Sequence, residues 1–234
     1  MSPATSLDTR SDHSRLRAAA SFEPSPELTT KPQRARAFKL RGVFGGALTV
    51  AGAITVVSTM DPVPRNGSWL DVTIDGAAWL LFLVGTLLRF WSTLYIGSRK
   101  GHVVVDEGPY SLCRHPLYLG TFLLAGAAGL FLHSLTFSAL VAIVVAYYVI
   151  YAVPSEEAEL RLRLGQAYDN YCRRVSRFRL RWSGFRTSEA IPASASALAR
   201  EFRRASRWIW LPIVGDVLGH LQLQPWWPNV FDLP

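Results

Sequence analysis

The chain has 234 residues, half of them hydrophobic and 18% charged, with 25 Lys and Arg against 17 Asp and Glu for a formal charge of +8. A positive mean hydropathy in so basic a chain, with the charges clustered outside long apolar runs, sets aside an ordinary soluble domain and points to one membrane domain. The basic residues flank the apolar runs, so cytoplasmic loops and anionic lipid account for them and no nucleic-acid partner is expected.

In chain order, residues 1–33 are rich in Ser, Thr, Pro, Ala and charge and read as a disordered tail. Met1 to Arg41 holds no apolar core of a secretory signal, so the first span is expected to do the targeting. That span is Gly42 to Met60, an uncharged stretch close to the roughly 20 residues that cross a hydrocarbon core. A Pro- and Asn-containing loop leads to a second span over 77–97, interrupted only by Arg89, which either snorkels to an interface or binds substrate. Two apolar runs, 117–132 and 135–153, follow with little more than His133 and Ser134 between them, the spacing of a tight helical hairpin. Gly120, Gly126 and Gly129 in its first arm permit close helix approach in lipid.

Ser155 to Arg174 changes to a charged amphipathic helix, expected on the cytoplasmic membrane surface or over the bundle. The basic stretch that follows reads as a partly irregular linker, and Trp208 to Leu223 as interfacial. The expected architecture is therefore all-α: a polytopic bundle of about four transmembrane helices in a membrane domain over 34–180, with a basic linker and interfacial segment over 181–234. Cations concentrate before the first span, between the second and third, and after the fourth, which places both termini in the cytoplasm. Cys113 and Cys172 are far apart and without metal-type spacing, so neither a disulfide framework nor a metal site is expected.

This topology puts two polar clusters on one membrane face. In the first, Pro116 opens a helix preceded by Arg114 and His115, and a helix N-terminus with a neighbouring cation is suited to a carboxylate. The second opens with Glu156 and Glu157 in the first turn of the amphipathic helix, where carboxylates are favoured by the dipole and can also accept from hydroxyl or amino groups. Together they offer donors, acceptors and an apolar cleft, the requirements of an S-adenosylmethionine site.

The text HVVVDEGPYSLCRHPLYLG (His102 to Gly120) followed by EEAELRLRLGQAYDNYCRRV (Glu156 to Val175) resembles the isoprenylcysteine carboxyl methyltransferase and phospholipid methyltransferase group of membrane enzymes, over about residues 77 to 180. The resemblance implies S-adenosylmethionine as cofactor, with contacts from His102, Val103, Val104, Val105, Tyr110, His115, Pro116, Leu117, Tyr118 and Glu156, and Glu157 as a nearby second candidate. It implies a lipid-like or prenylated methyl acceptor drawn from the bilayer, with carboxyl O-methylation first. Phospholipid N-methylation or S-methylation of a small hydrophobic thiol are the alternatives, and a non-enzymatic membrane scaffold or sensor is the alternative of another class. Two positions depart from the group's pattern: Ala152 stands where prenylcysteine methylators carry an Arg, and Ser176 where Pro is common.

Overall fold

The computed structural model describes residues 68–97, 103–187, 193–222 and 224–226. The expected tail, the expected span at 42–60 and His102 lie outside the described residues. Among the described residues every regular element is helical. They are α1 (Trp69–Ile96), α2 (Pro109–Leu112), α3 (Pro116–Phe131), α4 (Leu135–Tyr147), a π-helical turn (Tyr148–Ala152), α5 (Val153–Leu164), α6 (Gln166–Arg174), α7 (Ala195–Trp208) and α8 (Trp210–Gln222), with a 3-10 turn at Trp182–Gly184.

α1 begins two turns before the expected apolar stretch because Ser68 caps it: its hydroxyl accepts from the Asp71 N–H at 3.4 Å, and Asp71 suits the positive end of the helix. Two helices, α1 and the continuous Leu135–Leu164, are long and apolar enough to cross a membrane. Only 17% and 11% of their most apolar stretches is buried, the reverse of a soluble core helix, so those faces suit lipid. Two helices of spanning length thus stand among the described residues, against the four expected. α3 has 16 residues, about 24 Å of rise and short of a core about 30 Å thick.

α1 and α3 cross through paired glycines. A Cβ on Gly85 would lie 2.9 Å from the Gly120 carbonyl oxygen, and one on Gly120 would lie 2.6 Å from Cγ of Arg89. Below the crossing, Ala78, Phe82, Leu124, Ala127 and Phe131 form a core against which Trp208 and Leu211 pack.

Three expectations are corrected. The charged helix after residue 153 does not start afresh, because it continues α4. Pro154 has no N–H, and its ring would press on the carbonyl four residues back. Widening the turn so that the Val153 N–H reaches the Tyr148 carbonyl lets the helix pass. The helix ends instead at Gly165, whose φ of 55° and ψ of −137° are open to glycine, and α6 turns back with Tyr168 and Tyr171 buried. The expected linker also holds a regular helix, α7, capped by Ser194. Ala197 and Glu201 face inward on it while Arg200, Arg203, Arg204 and Arg207 stay exposed.

Candidate functional site

A cavity of about 570 Å³ opens between the segment leading into α3 and the α5–α6 elbow, within the range of about 300–1,000 Å³ usual for small-molecule sites. One wall carries Val103, Val104, Val105, Tyr110, Leu117 and Tyr118. The facing wall carries Glu156, Glu159, Leu160, Arg163 and Leu164 from α5, with Tyr168 and Tyr171 from α6. Arg89 and Thr121, from the α1–α3 crossing, also line it, as do Arg114 and His115.

The wall before α3 is held by the extended chain that follows α6. The Arg114 N–H donates to the Ser176 carbonyl at 2.8 Å and the His115 N–H to the Arg177 carbonyl at 3.3 Å. Arg181 N–H reaches the Leu112 carbonyl at 3.2 Å, and the Tyr171 hydroxyl donates to the Tyr110 carbonyl at 2.8 Å. Gly108 makes the turn into α2 at φ 57°, and a Cβ there would lie 2.5 Å from the Tyr95 ring.

Beneath this wall Glu157 is fully buried. Its carboxylate receives His115 Nε2 at 3.1 Å, Arg114 Nη1 at 3.0 Å and Arg177 Nη2 at 2.7 Å. Four ionisable side chains from three separate stretches therefore lock α5 to the start of α3. Removing one partner from a buried ion cluster leaves the others uncompensated, which costs about 3–5 kcal/mol.

Glu156 does something else. It faces the cavity and accepts the Tyr118 hydroxyl at 2.7 Å. Tyr118 in turn lies against His115, Phe122 and Tyr148, with ring centroids 5.8, 6.2 and 6.0 Å away, so one side of the cavity is aromatic. The Tyr110 hydroxyl is buried without a hydrogen-bond partner in a residue that lines the cavity. Burial first, then the nearby Cys113 and Glu156, pushes the Tyr110 phenol far up, and burial does the same for Tyr168 and Tyr171. All three remain protonated donors. Burial also pushes the Cys113 thiol up to about 11.

Of the residues expected at the site, Val103, Val104, Val105, Tyr110, His115, Leu117, Tyr118 and Glu156 meet on the cavity wall. Pro116 and Glu157 lie behind it, both fully buried. Arg89 reaches the cavity but is already engaged: Nε and Nη2 hold Glu201 of α7 at 2.6 and 3.1 Å, and Nη1 bonds Thr121. The sequence reading did not assign Thr121, Glu159, Leu160, Arg163 or Leu164 to the site. The recurrence 156, 159, 160, 163, 164 is the face of a helix, and extending it from Glu156 would have found four of the five. Nothing in the spacing announces Arg177.

Residues 69–162 match the isoprenylcysteine carboxyl methyltransferase (ICMT) family. The chain is 30% identical over 177 residues to the nickel-cobalt-cadmium resistance protein NccN of Alcaligenes xylosoxydans xylosoxydans, covering 74% of this chain and 82% of the relative. The chain belongs to the ICMT family. A second relative within reach is the cobalt-zinc-cadmium resistance protein CzcN of Cupriavidus metallidurans, 29% identical over 64% of this chain and 68% of its own length. No solved structure gives a significant match. The ICMT match takes in both glutamates and the whole wall before α3, while α6, Arg177 and Glu201 fall beyond it.

Proposed function

We propose that this ICMT-family chain is an integral membrane methyltransferase that takes S-adenosylmethionine from the cytoplasmic side and methylates a lipid-like acceptor, a carboxylate first among the alternatives. The observation that carries the reading is the cavity itself, with the Glu156 side chain, which accepts from Tyr118, and the unpartnered Tyr110 hydroxyl on facing walls. An acceptor for hydroxyl or amino groups, a buried donor and an aromatic side fit the polar, cationic and flat parts of the cofactor. When bound, S-adenosylmethionine supplies an electrophilic methyl group on a sulfonium.

The chain's own residues then bind and align. Glu156, held by Tyr118, accepts hydrogen bonds from the cofactor; Tyr110 donates one; Val103 to Val105 and Leu160 cover its apolar surface. Methyl transfer is an in-line displacement, so alignment and exclusion of water are the main tasks, and a carboxylate or thiolate acceptor arrives already ionised. The exposed apolar faces of α1 and α4 suit an acceptor that keeps its tail in the bilayer. Ala152, in place of an Arg, argues against a prenylcysteine acceptor. The names of the two relatives suggest resistance to toxic divalent metals as the setting.

The test is calorimetry with S-adenosylmethionine on detergent-purified protein. Wild type is expected to bind in the micromolar range. Glu156→Ala and Tyr118→Phe should bind about tenfold more weakly or worse, about 1.4 kcal/mol. No binding by folded wild type in lipid-supplemented detergent would favour a scaffold or sensor that keeps the fold without the chemistry.

A further inference from the structure

At the end of α1 remote from the cavity, Asp71, Asp75 and His133 come together with one ligand atom of each within 4.8 Å of the others. Asp71 lies 18 residues before Arg89, about 27 Å along the helix at about 1.5 Å per residue, so this cluster shares nothing with the cavity. His133 sits in the turn between α3 and α4 at φ 50° and is 5% exposed. Its Nε2 stands 3.1 Å from Asp75 Oδ1, a hydrogen bond that places the ring proton on Nε2 in the neutral imidazole. Nδ1 is then an acceptor, buried and without a hydrogen-bond partner, and it faces Asp71 Oδ1 at 3.6 Å. A lone pair aimed at a carboxylate oxygen repels it unless a proton or a metal cation lies between them.

The geometry points to a divalent transition-metal site of the zinc class, with His133 Nδ1 and Asp71 as ligands and Asp75 holding the far side of the ring. The separation fits. Two ligands about 2.1 Å from a tetrahedral metal stand about 3.4 Å apart, against 3.6 Å between Nδ1 and Oδ1. A carboxylate on the other ring nitrogen is the usual support of a metal-bound histidine, since it fixes the tautomer and raises the ligand's basicity. Asp75 is half exposed, so the cluster lies at the surface on that side of the ring. One imidazole nitrogen with carboxylate oxygen selects zinc-like cations over magnesium. The sequence hides the set because His133 lies 58 residues after Asp75 and only the pairing of α1 with the α3–α4 turn joins them.

The experiment is calorimetric titration of Zn²⁺ into full-length, tag-free, chelator-treated protein in detergent. Wild type is expected to take up one Zn²⁺ and no Mg²⁺ at the same concentration. His133→Asn keeps a residue at ease at positive φ and should weaken binding about tenfold or more. Asp71→Asn should do likewise, and serves alone if the first variant does not fold. His220→Ala, which removes an exposed histidine beside Asp216, should leave the affinity unchanged. Absent Zn²⁺ uptake by wild type, undiminished uptake by a folded Asp71→Asn protein, or loss in His220→Ala would overturn the site; a proton held between the carboxylates would give the first of these.

Discussion

Glu156 and Glu157 point about 100° apart around α5, the angular step of a helix, and that step puts one on the cavity wall and the other in the buried ion cluster. Glu156 looks into the cavity and is held by a single tyrosine, while Glu157 is sealed among His115, Arg114 and Arg177. The two cysteines divide in the same way. Cys113 is fully buried, with its thiol raised to about 11 by that burial, and Cys172 is partly exposed and accepts from Arg114 Nη1 at 3.1 Å. Because the thiolate is the reactive form, maleimide at pH 8 is expected to label Cys172 first and Cys113 only after unfolding. Mass spectrometry on Cys113→Ser and Cys172→Ser proteins reads this directly, and rapid labelling of Cys113 in the folded chain would contradict the packing around α2.

Helices α1, α3 and α7 are joined at one buried contact. Arg89 and Glu201 have side chains 8% and 5% exposed, and their bidentate pairing ties the C-terminal region to the floor of the cavity. Glu201→Ala leaves the guanidinium without its counter-charge and should cost about 3–5 kcal/mol. The double replacement Arg89→Met with Glu201→Met should recover most of that, since apolar residues of similar volume often substitute for a buried pair without loss. Thermal unfolding of the single and double variants in detergent checks both. If Glu201→Ala unfolds like wild type, α7 is not part of the stable unit.

Seen as a whole, the molecule was legible in sequence wherever one stretch carried its own signal. The hairpin over 117–153, Pro116 at the first position of its helix, and the polar clusters around His115 and Glu156 follow from local pattern, whereas Val103 to Val105, Tyr110, Leu117 and Tyr118 were named only through the family resemblance. What escaped depends on distant stretches meeting. Arg177 is one cation among many in a basic segment, Glu201 lies 112 residues beyond Arg89, and the expected linker conceals α7. The join between α4 and α5 escaped for a different reason: a proline after an apolar run ordinarily reads as a start, and the wider turn that accommodates it leaves no mark on composition.

That wider turn, Tyr148–Ala152, also sets the phase between the two halves of the longest helix among the described residues. A π-helical turn holds one residue more than the α-helical path it replaces, so everything after it is rotated by about 100° relative to an unbroken helix. The lipid-facing side of α4 and the cavity-facing side of α5 are aligned by a single extra residue. Deleting exposed Tyr151 should therefore leave the helix content by circular dichroism nearly unchanged while turning Glu156 off the cavity and Glu157 out of its ion cluster, with the proposed binding of S-adenosylmethionine lost. If binding survived that deletion, the phase of α5 would be set by α6 and the chain beyond it, and the helix would have to rewind to meet them.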